Sequence, residues 1–313
     1  QHESDIYDKG RELVMQGLDK GIFHKERDGA VYVDLTDQGL DKKYLLRADG
    51  TTIYITQDMY LWHLRNEKHH PDAAVVTTSS EQAYHFNVLA KIFELLQFPW
   101  AQNFRHLPYE HVYLGKSKMS SRGGNVVSAD DLLEMTKEKV LATMQASQKV
   151  KGSADDSALV EDIAFGAIKY GYLKYDRNTK IYFDLDETIA IEGNTGPYLQ
   201  YTNARIKSIL EKAGKFKQAA PDALQDESEL LLARHLLHYD HTVATAAREF
   251  RPNLLCNYLL ELAQKFNLFY DRVSVLNADN AKQKQARLNL LVSVSNVFKN
   301  GLALLGIKAP EKM

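Results

Sequence analysis

Near residue 128 the spacing of apolar residues changes character, from short runs interleaved with amphipathic stretches to a helical period that lasts nearly to the end. A single-class fold does not accommodate that change, so the chain must combine an α/β part with an all-α part. Before the change, Ile6, Leu13, Val14 and Leu18 predict a helix stopped at Gly21, and "AVYVDL" and "KYLLRADG" predict short strands around a turn at Gly39. "TQDMYLWHLRNEKHH" then predicts a helix, "AAVVTTSS" a buried strand, "EQAYHFNVLAKIFELLQF" a helix closed by Pro99, and "LPYEHVYLG" one further strand. Strand, helix, strand at this spacing implies parallel crossovers, whose ligands gather at the carboxyl ends of the strands. Those ends are "TSSEQ" and "GKSKMSSRGG".

After residue 128, Ser128 with Asp131 and Ser153 with Asp156 have capping-box spacing, each opening a helix. Four more helices are expected at about 197–213, 227–250, 253–275 and 281–304, with Pro197 in the first turn of one and Pro252 separating two others. At 313 residues and 44% hydrophobic, the chain can fill two or three cored domains. Lys and Arg (39) nearly balance Asp and Glu (41), so any nucleic-acid contact must come from local patches and not from a global field. Cys256 is the single cysteine and sits among apolar neighbours, which rules out an internal disulfide and fits a reducing compartment. No run approaches the roughly 18 to 20 apolar residues of a membrane span. The first ten residues do not resemble a signal peptide, so a cytoplasmic protein that begins partway through something larger is expected.

Several stretches carry candidate chemistry. In "YITQD", Tyr54 would precede a helix starting at about Thr56 and Asp58 would lie in its first turn, where a carboxylate can accept a forked pair of bonds from a guanidinium. The plainer alternative is an aspartate that favours the helix dipole. In "SSEQAYHF", Gln82 would lie at a helix start, able to donate and accept, with Ser80 and Glu81 as simple caps. His63, His69, His70 and His85 match no common zinc spacing, so no bound metal is expected. Walker, nucleophile-elbow and dinucleotide fingerprints do not occur. In "NTGPYLQYTNARIKSIL", Tyr198, Tyr201 and Arg205 fall at i, i+3 and i+7 beside an apolar stripe. Rings placed so can stack on unpaired bases for roughly 1–3 kcal/mol each, or serve as packing with wet hydroxyls.

Taken in order, "ADGTTIYITQD", "SSEQAYHF", "KMSSR", "EGNTGPYLQYTNARI", "ELAQKFNLFY" and "LGIKAPEKM" resemble the C-terminal portion of an arginyl-tRNA synthetase, a class I aminoacyl-tRNA synthetase. The resemblance implies the distal half of a Rossmann-type α/β catalytic domain followed by an all-α anticodon-binding helical bundle. Its divisions would be a connective segment of the catalytic domain (1–48), the distal catalytic half (49–127), a helical connector resembling a stem-contact region (128–186) and the anticodon-binding domain (187–313). By the same resemblance, Tyr54, Asp58 and Gln82 hold the arginine side chain. The "KMSSR" run is similar to the signature loop over ATP, comprising Lys116, Lys118, Met119, Ser120, Ser121 and Arg122. Ser121 stands where the family pattern has lysine, which leaves Lys118 and Arg122 as the catalytic cations, with Lys116 behind them. Tyr198, Tyr201, Arg205 and Met313 are implied anticodon contacts, and Asn257, Lys265 and Asn267 further candidates.

The implied activity is ATP-dependent activation of arginine and its transfer to tRNA(Arg), with ATP and Mg2+ as substrate and activator, by a monomer with no membrane contact. The family's H-x-G-H-type motif does not occur in the sequence. The expectation is therefore a piece of the enzyme that is inactive alone, with a mobile, idle ATP loop. A tRNA-binding module without catalysis, and a docking bundle with no tRNA role, are the competing classes.

Overall fold

A computed structural model of the chain describes residues 2–114, 117–118, 127–146 and 157–313. The chain divides into two compact units, 1–110 and 111–313.

In the first unit, α1 (Gly10–Asp19) ends ahead of Gly21, whose φ of +69° suits a residue without a Cβ. Strands β1 (His24–Lys25), β2 (Val31–Val33) and β3 (Lys43–Leu46) form an antiparallel sheet in that order. Helix α2 (Tyr54–His69) packs on α1 at Gly10, where a Cβ would stand 2.2 Å from the Thr56 carbonyl oxygen. Strands β4 (Ala74–Ser79) and β5 (Phe104–Tyr109) are parallel, Ala74 opposite Phe104, and α3 (Ala83–Leu95) is the crossover. Val14, Leu45, Met59, Leu89, Ile92 and Phe93 form the centre of the core. Pro99 does not close α3. Gln97, at φ +57°, does so: its amide bonds to the Glu94 carbonyl (3.0 Å) and the Phe98 amide to that of Phe93 (3.2 Å). That is a Schellman ending, with Phe93 and Phe98 supplying its apolar contact.

"LPYEHVYLG" is two strands and not one. β5 stops at Tyr109, while β6 (Val112–Leu114) belongs to the second unit, between β7 (Ser117–Lys118) and β8 (Ile181–Phe183). The cause is pairing: β6 runs parallel to β8 and antiparallel to β7, so residues just after 110 join the helical part before the periodicity changes at 128. The compact units accordingly meet in sequence at 110/111.

In the second unit, α4 (Ala129–Ala146) opens with the expected reciprocal cap, the Asp131 amide donating to Ser128 Oγ at 3.0 Å. The Ser153–Asp156 pair lies outside the described residues. Then come α5 (Ser157–Leu173), the short α6 (Leu185–Thr188) after β8, and α7 (Gly196–Ala213) with Pro197 in its first turn. The stretch expected as one helix over 227–250 is α8 (Glu227–Leu236) and α9 (Tyr239–Glu249). The Tyr258 hydroxyl donates to the His235 carbonyl (3.0 Å), the acceptor that the residue-239 amide of a continuous helix would need. Helices α10 (Pro252–Arg272) and α11 (Ala281–Leu304) complete the bundle around Leu199, Leu232, Leu259, Phe266, Leu291 and Phe298. Cys256 is fully buried, and burial pushes its thiol pKa up to about 12.

Two features set the close packing. At the α5–α7 crossing, a Cβ on Gly196 would stand 2.1 Å from the Gly166 carbonyl oxygen. Between α8 and α11, the buried Glu229 carboxylate pairs with the buried Arg287 guanidinium, which also donates to the Ser274 carbonyl (2.7 Å). Glu229 in turn accepts from the amides of Gln225 and Asp226. Glu229→Ala should leave a buried guanidinium unpaired and cost about 3–5 kcal/mol, read as a lowered urea midpoint at unchanged slope. Glu229→Leu combined with Arg287→Met should recover most of that loss.

Candidate functional site

In the first unit the amino ends of α2 and α3 meet at the carboxyl ends of β4 and β5. Tyr54 is the first residue of α2, not a residue ahead of it, and Asp58 lies one turn on, so the two share a helix face. Tyr54 is 79% exposed and Asp58 is partly buried. The Asp58 carboxylate bonds through Oδ2 to His85 Nε2 at 2.7 Å. A carboxylate only accepts, so His85 Nε2 carries the proton in this pair. Gln82 is exposed at the start of α3, one turn before His85 and on the same side. Ser79 caps the 3-10 turn Ser80–Gln82 that leads into α3, its Oγ accepting from the Glu81 amide (3.2 Å), while Gln82 at the N-cap of α3 makes no side-chain cap bond.

Behind this front, His85 meets the Phe86 ring edge-on (5.2 Å), and Phe86 stacks on His106 (4.5 Å). His106 Nε2 shares a hydrogen bond with the Thr78 hydroxyl at 2.9 Å. Burial, and then the nearness of His85, lower the His106 pKa. The other three of the four histidines noted in the sequence lie apart from this site. His63 pairs with Glu67 (3.2 Å) and stacks on Phe98, while His69 and His70 end α2 at its far terminus. Among the described residues no group of three His, Cys, Asp or Glu side chains converges as a metal site.

Of the phosphate-loop candidates, Lys118 belongs to β7, opposite Tyr113 of β6. Lys116, Met119, Ser120, Ser121 and Arg122 lie outside the described residues, and with them the expectation of a mobile loop. The strand leading into this segment is β6 of the second unit, not a continuation of parallel β5.

In the second unit, α7 and α10 present the aromatic stripe. Tyr198 is half-buried, and its hydroxyl oxygen accepts from Asn267 Nδ2 at 2.8 Å. Burial raises the Tyr198 phenol pKa, opposed by the Asn267 donor and the Arg205 charge. The Arg205 guanidinium lies over the rings of Tyr270 (4.9 Å) and Tyr201 (5.4 Å). Beside them is an open cavity of about 340 Å³ whose lining includes Tyr201, Arg205, Lys212, Tyr270, Lys312 and Met313. Glu211 and Glu311 also line it but form only loose pairs with Lys312 (3.8 Å) and Lys207 (3.7 Å). Met313 is itself buried, 8% exposed, in a cluster that Tyr201 packs against. The chain end is fastened there by Gln200, which donates to the Lys308 carbonyl (2.9 Å), and Asn203, which donates to that of Pro310 (3.3 Å).

Sequence reasoning missed His85, His106, Tyr270, Lys212 and Lys312. His85 was visible only as a member of a histidine cluster that does not form. Tyr270 follows Asn267 at i+3 in "ELAQKFNLFY", a spacing that puts both on one face, but nothing in the string says that this face meets α7.

A sequence profile described as the class I tRNA synthetase (R) catalytic domain matches residues 1–185, and one described as the DALR anticodon-binding domain matches 199–313. The arginine–tRNA ligase of Bacteroides thetaiotaomicron is 39% identical over 321 residues, covering 100% of this chain and 53% of that protein. The chain therefore spans about half the length of the curated relatives it matches. The solved Thermus thermophilus arginyl-tRNA synthetase superposes with a TM-score of 0.89 at 26% identity, covering 99% of this chain and 59% of that one. The Plasmodium falciparum arginyl-tRNA synthetase shares the fold at 21% identity and a TM-score of 0.80. With a catalytic-domain profile covering more than half its length and the anticodon-binding profile covering the helical remainder, the chain belongs to the class I arginyl-tRNA synthetase family.

Proposed function

We propose that the chain works as part of an arginine–tRNA ligase, contributing the arginine side-chain pocket, one wall of the ATP site and the tRNA anticodon surface. The observation that carries this reading is Asp58: an accessible carboxylate at the ends of parallel strands, held on one oxygen by His85, with exposed Tyr54 one turn away on the same face. A carboxylate so placed selects a guanidinium. Lysine lacks the planar fork and citrulline lacks the charge. Tyr54 would pack against or bond to the guanidinium, and Gln82 would close the pocket.

In the proposed reaction the arginine carboxylate attacks the ATP α-phosphate, giving arginyl-adenylate and pyrophosphate. The terminal hydroxyl of tRNA(Arg) then takes the arginyl group and releases AMP. Lys118 and Arg122, with Lys116 behind, are the proposed cations for charge developing on pyrophosphate, within the Lys116–Arg122 loop that includes Met119, Ser120 and Ser121. Magnesium would arrive on the nucleotide phosphates, as is usual for a cation that keeps several waters and takes few protein ligands.

Tyr201, Arg205 and Tyr270 line an aromatic cavity of mixed charge, with Lys212 and Lys312 set against Glu211 and Glu311, whose rings and guanidinium suit stacking on an unpaired nucleotide, with Tyr198 and Met313 as further proposed contacts. The chain is proposed as the C-terminal portion of the enzyme, working in the cytoplasm as a monomer, a reading that rests on the order of the sequence motifs alone for its first part. Among the described residues no helix is long and apolar enough to cross a membrane. A tRNA-binding module without catalysis is the second reading, supported by the anticodon-binding profile over residues 199–313.

Three outcomes test these proposals. The chain alone should show arginine-dependent ATP–pyrophosphate exchange orders of magnitude below a full-length relative; a comparable rate would refute its division of labour. In the full-length enzyme, Asp58→Ala should weaken arginine use by on the order of 2–5 kcal/mol, seen as a raised arginine KM in that exchange. Tyr201→Ala with Arg205→Ala should raise the KM for tRNA about tenfold or more while sparing tRNA-independent arginine binding. A loss of thermal stability alone would assign both side chains to packing.

A further inference from the structure

We infer that His85 is a positioning residue for arginine selection: its bond to Asp58 Oδ2 fixes the carboxylate so that Oδ1 faces the incoming guanidinium. The inference rests on the reading of Asp58 as the guanidinium's partner.

An aspartate at the second turn of a helix, partly exposed, has several accessible side-chain orientations. A guanidinium offers its donors in a rigid plane, so a carboxylate free to rotate spends binding energy on its own ordering. The 2.7 Å bond from His85 removes that freedom before ligand arrives. It occupies Oδ2, and among the described residues Oδ1 has no partner.

His85 is itself held. It follows Gln82 by one turn of α3, its ring lies edge-on to Phe86, and Phe86 is 8% exposed and stacked on His106. His106 is bonded to Thr78 near the end of β4. The sheet end thus transmits its rigidity through three rings to one carboxylate. The same arrangement ties Gln82 and Asp58 together, because the turn carrying Gln82 also carries the residue that orients Asp58.

The experiment uses the full-length enzyme and arginine-dependent ATP–pyrophosphate exchange, with arginine and ATP varied separately. His85→Leu, which keeps bulk but removes the donor, should raise the arginine KM about tenfold while kcat and the ATP KM stay within about threefold. His85→Gln, whose amide can still donate to Asp58, should return the arginine KM to within about threefold of the parent. In an Asp58→Asn background, His85→Leu should add little further, since the two act as one unit.

An unchanged arginine KM in His85→Leu, or a Gln variant no better than Leu, overturns the inference. So does a matched fall in kcat and rise in the ATP KM, because it marks a structural role. If Asp58→Asn alone leaves the arginine KM unchanged, the reading of the pocket fails, and the inference with it. If Asp58→Asn raises it and His85→Leu does not, the inference alone fails. The Gln variant keeps the test decisive should the Leu variant unfold.

Discussion

The approach of α5 to α7 at Gly166 and Gly196 is the constraint on which the second unit is built. With no side chain on either residue, the backbones nearly touch, and Gln200 one turn along α7 fits against Gly166. Gln200 is fully buried, and its amide donates to the Asp162 carbonyl of α5 (3.0 Å) as well as to Lys308 of the chain end. Asn203 repeats the arrangement, donating to Pro310 and accepting from the Ser295 hydroxyl of α11. Two buried amides therefore bind three helices and the last residues into one body. A buried amide left without partners is costly, so these bonds specify a single arrangement where apolar packing alone would tolerate several. The position of Met313 beside Tyr201 follows from them.

The first unit is held together by other means. Its parallel pair has only two strands, too few to position a site by hydrogen bonding alone. Aromatic layering supplies the remainder: Trp62, Phe86 and Phe93 each meet Phe104 edge-on or tilted, and His85 and His106 extend the layer through Phe86. Polar groups near the candidate pocket are thus mounted on a packed apolar base, and burial keeps His106 less basic than a free imidazole.

Much of this was legible in the sequence, and where it was not the reasons are physical. Helices α7, α10 and α11 announce themselves by period, proline and cap, because one apolar face repeats over many turns. The break between α8 and α9 is invisible in the string: the chain tightens there with the His238 amide donating to the His235 carbonyl (3.1 Å), and the Tyr258 hydroxyl that also donates to that carbonyl comes from another helix. Gln97 in a left-handed conformation looks like any helical glutamine, and the Schellman ending is carried by backbone bonds instead of by a glycine. The split of "LPYEHVYLG" is equally hidden, because the partner of its second half is β8, far along the chain. In the site, the Tyr54–Asp58 spacing survives at the level of one helix, whereas the His85 bond joins two helices and has no periodic signature. Tyr270 and the cavity lysines likewise become neighbours of Arg205 only once the bundle closes.

The pairing of β6 with β8 couples distant parts of the chain. Val112 lies opposite Ile181, about 70 residues away in sequence, with α4 and α5 between them. A pair of such separation carries a larger loop-closure cost than a local hairpin, which the packing around it must offset. Strand β7, which carries Lys118, is seated on β6 alone. The backbone position of Lys118 therefore depends on a strand contributed from beyond α4 and α5, and not on its own local sequence alone.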